Sequence, residues 1–260
     1  MEKDIDLTVE CLRWGNTTWL LSEKGHRLVP EIMERSKPPQ KPYDVTFQLQ
    51  LPDEWDPTLG KYNVGLSAFV ETERCNPKWV DSCNKMDKII VPSTFTKNVL
   101  RRSGPIFTPV TVIPEWFNNK LLNKSLMSKT LSDERFERID DDFNILMVGT
   151  LTSQNPKDDR KNLVNTIRWV SEEFSNTEGV TILLKTNFGK GTTLDRKLCK
   201  SYLKKLKGEL NIDNPPKIKL LHGNMKNYEI AALFNHHKIK MYVSATRGEG
   251  YGLPLIEAAV

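Results

Sequence analysis

Short apolar segments alternate with predicted helices along most of the 260-residue chain, and this order constrains the fold more than any other feature. The segment 143–149 is almost continuously apolar, as in strands of a sheet that is covered on both faces. A predicted helix at 162–174 and a predicted strand at 180–185 follow it. Strand–helix–strand order of this kind predicts a parallel sheet in an α/β fold.

The same order divides the chain into two similar halves. In the first half, Ser93 is a predicted cap for a helix that starts at Thr94 and ends before Gly104. The region 118–142 is polar and poor in strand formers, so we predict a linker there. The predicted domains are therefore a short α/β domain at 1–117 and a second α/β domain at 143–260. The other predicted strands are 5–14, 45–51, 62–70, 88–92, 110–114, 218–222 and a buried strand at 239–244, and a helix broken by Pro30 is predicted at 19–35.

Composition describes an ordinary soluble protein with a mild basic excess. The net charge is +5, and no apolar run approaches the roughly 20 residues that would cross a bilayer. The first residues lack the pattern of a secretory signal, and the four cysteines lack metal-binding spacing, so we expect free thiols in a cytoplasmic protein. The basic excess suits a nucleotide sugar, an anionic membrane surface or a nucleic acid, although solvated lysines explain it most simply.

The last fourteen residues, 247–260, contain the most specific pattern in the chain. Gly248, Gly250 and Gly252 allow a tight turn that a ligand could approach closely. Pro254 fits the first turn of a following helix, and a helix start binds anions. Two carboxylates, Glu249 and Glu257, are separated by seven residues across this turn and helix. A glycine-rich turn by itself is also a frequent packing feature of α/β proteins.

The segment 249–257 resembles the Glu-x7-Glu signature of group 1 (retaining, GT-B type) glycosyltransferases, usually written E-G-F-G-L-P-x-x-E-A, with Tyr251 in place of Phe. Residues 79–100 resemble the end of the acceptor-side domain in that family. The resemblance covers roughly 62–260 and implies a GT-B fold with two Rossmann-like domains that face each other across a cleft. The family's opening strand is not found, and the chain stops one turn into the motif helix, so we expect a truncated member that is incomplete at both ends or a natural minimal form.

The resemblance implies a hexosyltransferase-type enzyme that moves a sugar from a UDP- or GDP-linked donor to an acceptor hydroxyl with retention of configuration. It assigns the catalytic roles to Glu249, which accepts from the sugar hydroxyls, and to Arg160 and Lys161, which neutralise the leaving diphosphate. Thr150 stands where the family usually has an arginine, and Arg160 substitutes for it in this prediction. No metal and no cofactor besides the nucleotide sugar are expected.

The other predicted site residues follow strands, where ligands bind in open α/β sheets. In the family, the loop after His222 holds the nucleobase, whereas His222 itself is expected to pack or cap. Glu71 and Glu73 are candidate acceptor-side carboxylates, with an ion pair to Arg74 or simple exposure as the alternative. The predicted donor-binding residues are Gly149, Thr150, Lys185, Gly223, Asn224, Met225, Gly250, Tyr251, Gly252, Leu253 and Glu257, while Asp140–Asp142, Asp158 and Asp159 are predicted to be surface charges.

Two alternative functions remain open at this stage. One is a non-catalytic module that binds sugar nucleotides, and the other is a GT-B enzyme that glycosylates nucleic acid. No arginine-rich or aromatic stripe favours the second alternative. The acceptor could be a glycan, a lipid-linked compound or another hydroxyl compound, with peripheral membrane contact in the lipid case. The sequence does not determine the donor base, the sugar, the acceptor, the oligomeric state or the activity of a chain this short.

Overall fold

The computed structural model describes residues 5–12, 28–36, 42–123, 136, 139 and 141–260. These residues belong to two compact units. The first unit takes its residues from Met1–Ser67, Pro77–Ile90 and Pro105–Thr111, and the second takes them from Ala68–Asn76, Val91–Gly104 and Val112–Val260. The domain boundaries predicted at 117 and 142 stay predictions, because much of the region between them lies outside the described residues.

The first sheet has four strands in the order β1-β2-β3-β4, and the pairings of β1 with β2 and of β2 with β3 are parallel. Its strands and the helices along this part of the chain are β1 (Tyr43–Leu49), β2 (Gly60–Leu66), β3 (Lys88–Val91), β4 (Val110–Val112), α1 (Leu28–Arg35), α2 (Pro77–Cys83) and α3 (Thr94–Ser103). The predicted cap of α3 is confirmed, since Ser93 Oγ accepts a hydrogen bond from Thr96 N at 3.1 Å and Gly104 follows the helix.

The strand predicted at 5–14 is wrong over 5–12, where the chain has no regular structure. Its alternating pattern has no neighbouring strand among the described residues, and alternation alone does not form a strand without pairing. Residues 13–14 of that predicted strand and residues 19–27 of the helix predicted at 19–35 lie outside the described residues. Helix α1 begins only at Leu28, with Pro30 inside its first turn. The strand predicted at 62–70 ends at Leu66, and the segment 68–76 continues as a loop of the second unit.

Strand β1 reverses the usual polarity of a half-buried strand. Thr46 and Gln48 are buried, whereas Val45, Phe47 and Leu49 are exposed. The buried side chains are satisfied by hydrogen bonds: Thr46 Oγ1 donates to Asn63 Oδ1 at 2.8 Å, and the Gln48 amide exchanges two bonds of 2.7 Å with the backbone of Asp56. Burial of these polar groups is therefore compatible with a stable strand.

The second sheet has the order β7-β6-β5-β8, and all three of its strand pairings are parallel. Its elements are β5 (Phe143–Val148), α4 (Leu163–Glu173), β6 (Val180–Lys185), α5 (Thr193–Glu209), β7 (Lys217–Leu221), α6 (Asn227–Phe234), β8 (Ile239–Tyr242) and α7 (Leu253–Ala259). Both faces are covered, as the apolar segment 143–149 predicted. Ile145 and Met147 pack with residues of α4 and α5, while Leu146 packs with residues of α6.

Strand β8 is less buried than predicted, since Met241 is 40% exposed. It lies at the end of the sheet and pairs with β5 among the described residues. Because β6 and β7 lie on one side of β5 and β8 lies on the other, the strand order reverses between β5 and β8. Loops that leave the carboxyl ends of two such strands diverge and form a crevice, which is where open α/β sheets bind ligands.

All four cysteines are free, and three of them (Cys75, Cys83 and Cys199) are buried. In the part of the chain that the structure describes, no helix has both the length and the apolar character needed to span a membrane.

Candidate functional site

The segments that follow β5 and β8 meet at the point where the sheet order reverses. The guanidinium of Arg247 donates to backbone carbonyls of the first segment, at Pro156 (2.9 Å) and Lys157 (2.5 Å). Asn162 Nδ2 donates to Ala245 O at 3.0 Å. These bonds hold the two segments side by side and fix the backbone on which the predicted cations lie.

Asp159 organises the segment after β5 and is fully buried, so its interpretation as a surface charge is wrong. Its Oδ1 accepts from Thr152 Oγ1 at 2.8 Å, and its Oδ2 accepts from Leu163 N, the first residue of α4, at 2.8 Å. Lys161 N donates to Oδ1 at 3.3 Å. A carboxylate that accepts several N–H and O–H bonds can be buried at an acceptable cost. The neighbouring Asp158 is exposed, as predicted.

Lys161 and Glu249 form an ion pair between the two segments. Lys161 Nζ lies 2.6 Å from Glu249 Oε1, and their side chains are only 17% and 22% exposed. Gly149 and Thr150 lie at the start of the same segment, where Gly149 N donates to Lys185 O at 3.1 Å and extends the strand pairing. The structure therefore places the lysine and the first glutamate of the motif, 88 positions apart, in direct contact.

Arg160 forms a second ion pair, with Glu71 at 2.7 Å, and its Nη1 also donates to Gly248 O at 3.1 Å. Of the two alternatives for Glu71, neither pairing with Arg74 nor simple exposure describes what the structure shows. Glu73, by contrast, is exposed, and the described residues do not bring it to this set. Two cations of one segment thus each contact one carboxylate.

Each glycine of the motif is explained by a close backbone contact or by its backbone conformation. A Cβ at Gly248 would lie 2.8 Å from the carbonyl oxygen of Glu71, and a Cβ at Gly250 would lie 2.9 Å from that of Ala68. Gly252 has a φ of 80°, in the left-handed region, and precedes α7. Gly248 and Gly250 thus permit close approach of the loop 68–71.

Glu257 lies in α7, and burial raises the pKa of its carboxyl above the ordinary 4.5. Tyr242, at the end of β8, is also perturbed: burial raises the pKa of its hydroxyl, and the negative charges of Glu249 and Glu257 raise it further. Both carboxylates of the motif therefore act electrostatically on one tyrosine. Tyr251 Oη donates to Glu115 O at 3.3 Å, and Leu253 begins α7.

The ends of β6 and β7 form a second group of contacts. Lys185 Nζ donates to Gly223 O at 2.8 Å, so this lysine contacts the next loop. Gly223 has a φ of 98°, Asn224 is exposed, and Met225 packs partly against the core. His222 Nε2 lies 2.8 Å from Asp195 Oδ1 in a buried pair. Packing was the expected role of this histidine, but the sequence interpretation did not find Asp195.

No family profile matches the sequence, and no curated protein matches it. Solved structures do match. A UDP-forming α,α-trehalose-phosphate synthase from Burkholderia xenovorans has a TM-score of 0.58 and 13% identity, with 90% of this chain and 59% of that chain covered. Another structure of such a synthase from the same organism, in complex with glucose-6-phosphate, has a TM-score of 0.58, 12% identity and coverages of 89% and 59%.

The HepE protein of Anabaena, in complex with UDP and glucose, has a TM-score of 0.53, 15% identity and coverages of 94% and 62%. The chain thus spans about three-fifths of the length of these structures. At such identities the likeness concerns the fold, and it confirms the predicted α/β class with two parallel four-stranded sheets. The chain has the fold of the GT-B glycosyltransferases.

Proposed function

We propose that the second unit binds a nucleotide sugar where the sheet order reverses, and that the protein transfers the sugar to an acceptor hydroxyl with retention of configuration. The observation that best supports this proposal is the contact of Lys161 with Glu249 at 2.6 Å. The contact brings together a lysine, which can bind phosphate, and a carboxylate, which can accept hydrogen bonds from hydroxyls. It lies between the segments that leave β5 and β8. Phosphates and sugar hydroxyls are adjacent in a nucleotide sugar, so one ligand could use both groups.

In this proposal the diphosphate of the donor replaces the two carboxylates as the ion partner of the cations. Arg160 and Lys161 lie next to each other, and arginine binds phosphate through two parallel bonds while lysine supplies a compact charge. Once the cations contact phosphate, Glu249 can accept from sugar hydroxyls, and Glu71 can orient an acceptor hydroxyl. Stabilisation of the leaving diphosphate by both cations would be the main electrostatic contribution to catalysis.

The rest of the donor is assigned to the remaining loops. Glu257 accepts from the ribose hydroxyls, the amides of 250–253 contact sugar and phosphate oxygens, and the loop 223–225 holds the base. Because Lys185 donates to Gly223 O, we assign it to support of the base loop rather than to phosphate contact. No metal ion and no cofactor besides the nucleotide sugar enter this scheme.

The structural neighbours suggest the first compounds to test. One of them is bound to UDP and glucose and another to glucose-6-phosphate. We therefore propose a UDP-linked hexose as the first donor candidate, with GDP conjugates second, and a sugar phosphate as the first acceptor candidate. Glycans and lipid-linked acceptors, the latter with peripheral membrane contact, follow in the same assay.

The direct test is calorimetric titration with UDP, GDP and UDP-glucose. We expect one nucleotide to bind with a micromolar dissociation constant. Lys161→Ala should weaken this binding about 10- to 100-fold, because it removes a charge-assisted bond to phosphate. Glu257→Ala should weaken it as well. The matched control is Lys157→Ala, which removes an exposed lysine of the same segment and should leave the constant unchanged.

Transfer is tested with UDP-glucose and glucose-6-phosphate, with product configuration determined by proton NMR. A product that keeps the donor's anomeric configuration supports the proposal. Nucleotide binding without transfer to any acceptor would favour the non-catalytic module. Strongly salt-dependent binding to duplex DNA would favour the nucleic-acid alternative. Absence of binding to every nucleotide by wild-type protein would contradict the proposal.

A further inference from the structure

Asp195 is a buried carboxylate at the start of α5, outside the residues assigned to the donor above. Its oxygens accept bonds from the backbone amides of Phe188 (3.1 Å) and Lys190 (3.0 Å), which belong to the loop after β6. The same carboxylate contacts His222 Nε2 at 2.8 Å, at the end of β7, and accepts from Cys199 Sγ at 3.4 Å. One side chain thus joins the loops that follow two adjacent strands.

Further contacts hold these two loops together. Lys185, the last residue of β6, donates to Gly223 O at 2.8 Å, directly after His222. A Cβ at Gly191 would lie 3.1 Å from Asn224 Oδ1, so the first loop passes close to the second. The backbone of Gly223 is in the left-handed region, with a φ of 98°. The loop 223–225 is therefore fixed from the side of β6 as well as by its own strand.

The charge of Asp195 makes these bonds strong. Burial on its own would raise the pKa of this carboxyl, but the bonds from His222, Phe188, Cys199 and Lys190 together bring the pKa below its ordinary value. Burial and the neighbouring Asp195 raise the pKa of the Cys199 thiol to about 12, so Cys199 is a neutral donor. Replacing an ionised acceptor that has four donors costs much stability, because the buried donors are left unsatisfied.

We propose that Asp195 is a positioning residue that, through His222 and the amides of the loop after β6, holds the loop 223–225 in the conformation that binds the nucleobase of the donor. This inference rests on the proposed function and deepens it. The buried pair of Asp195 and His222 determines the geometry of the loop that binds the base. Asp159 has the same role for the segment that binds the phosphates. Asp195 affects the base only through the loop that it holds.

A metal site is the alternative explanation for this cluster. Ligand atoms of Asp195, Cys199 and His222 all lie within 4.8 Å of one another. However, the carboxylate already accepts from the histidine, the thiol and two amides, so hydrogen bonds account for the whole arrangement. We therefore favour the positioning role, and the experiment below includes zinc.

The test compares the dissociation constants of UDP and of inorganic pyrophosphate, measured by calorimetry. Asp195→Asn keeps the size of the side chain and removes its charge, and we expect it to raise the UDP constant about tenfold. The pyrophosphate constant should stay within about twofold, because pyrophosphate has no base. His222→Ala should behave alike, while His222→Gln, which keeps an N–H donor, should restore part of the UDP affinity. The matched control is Asp213→Asn, at an exposed position, which should change neither constant.

Hydrogen exchange supplies a measurement that does not depend on a ligand. Asp195→Asn should speed exchange of the amides in 186–192 and 222–226 and leave those in 149–162 unchanged. Equal losses of UDP and pyrophosphate affinity, or unchanged exchange, would overturn the inference while the proposed function stands. Wild-type protein that binds neither ligand would refute both. Zinc that raises the melting temperature of wild type but not of Cys199→Ser would identify a metal site and overturn the inference.

Discussion

Replacement of Asp159 by asparagine tests whether one buried carboxylate determines the shape of the segment after β5. In the native structure its two oxygens serve different donors, with Thr152 Oγ1 and Lys161 N on Oδ1 and Leu163 N on Oδ2. Asparagine has only one oxygen. Whichever way the amide is oriented, its NH2 group faces a backbone N–H, so at least one buried donor loses its acceptor.

The magnitude follows from the bonds that are lost. A hydrogen bond to a charged group contributes about 1.5–3 kcal/mol, and an unsatisfied buried donor costs about 1–3 kcal/mol. The two figures describe partly the same loss, so they are not added. We therefore expect Asp159→Asn to lower the free energy of unfolding of the second unit by about 2–4 kcal/mol. For a unit of 150–250 residues each kcal/mol corresponds to about 2–4 °C, so the melting temperature should fall by about 5–15 °C.

The assay is scanning calorimetry, with the transition of the second unit assigned by hydrogen exchange of the α4 amides. Asp158→Asn is the matched control. Asp158 is adjacent and exposed, and its carboxylate accepts from Asn155 Nδ2 at 2.7 Å, so its loss should change stability by less than about 0.5 kcal/mol. If the two variants melt within 1–2 °C of each other, Asp159 does not hold the segment, and the argument from its hydrogen bonds is refuted.

Two further predictions concern the motif turn and helix. Gly248→Ala should destabilise the second unit by about 1–3 kcal/mol, because the new Cβ would lie 2.8 Å from the carbonyl oxygen and from the Cβ of Glu71. As a control, Gly208→Ala, in α5 with open space around the Cβ, should instead stabilise the unit by about 0.5–1 kcal/mol in chemical denaturation. Burial raises the pKa of the Glu257 carboxyl above 4.5, so its ionisation opposes folding. The free energy of unfolding should therefore fall as pH rises through the raised pKa. The melting temperature of Glu257→Gln minus that of wild type should therefore increase from about pH 4 to 7, and a constant difference would contradict this.

The second sheet could be predicted in detail because its strands follow a simple physical rule. A strand covered on both faces must be apolar at nearly every position, and 143–148 and 180–184 satisfy this requirement except at Asn144 and Thr181. The start of α3 was equally clear, since Ser93 caps it through a local bond. Local chemistry and continuous burial are both visible in sequence.

Features that depend on distant contacts were not predicted. The burial of Thr46 and Gln48 depends on hydrogen bonds to Asn63 and Asp56, and no local sequence pattern predicts these bonds. Burial of Asp159 likewise depends on the loop that folds around it. Asp195 had a usable signal: Thr192, three residues earlier, caps α5 by accepting from Asp195 N at 3.2 Å, and a Thr-x-x-Asp pattern marks a helix start.

The candidate site also combines features that the local sequence shows with features that depend on distant contacts. The glycine and glutamate positions of 247–257 were found from one short pattern, but the ion partners of Arg160 and Lys161 are 88 or more positions away and required the structure.

Two physical causes thus act within one motif. Gly248 and Gly250 are required by the approach of the loop 68–71, which is a matter of steric space. Glu249 and Glu257 are intermediate in exposure and offer charge and hydrogen-bond acceptors to a ligand. Variants at the glycines should therefore change stability first and binding as a consequence, whereas variants at the glutamates should change nucleotide binding while the unit stays folded. If the motif were only a packed turn, the glycine variants would lose stability but the glutamate variants would not lose nucleotide binding. Comparing the two sets of variants therefore distinguishes a binding site from a structural turn.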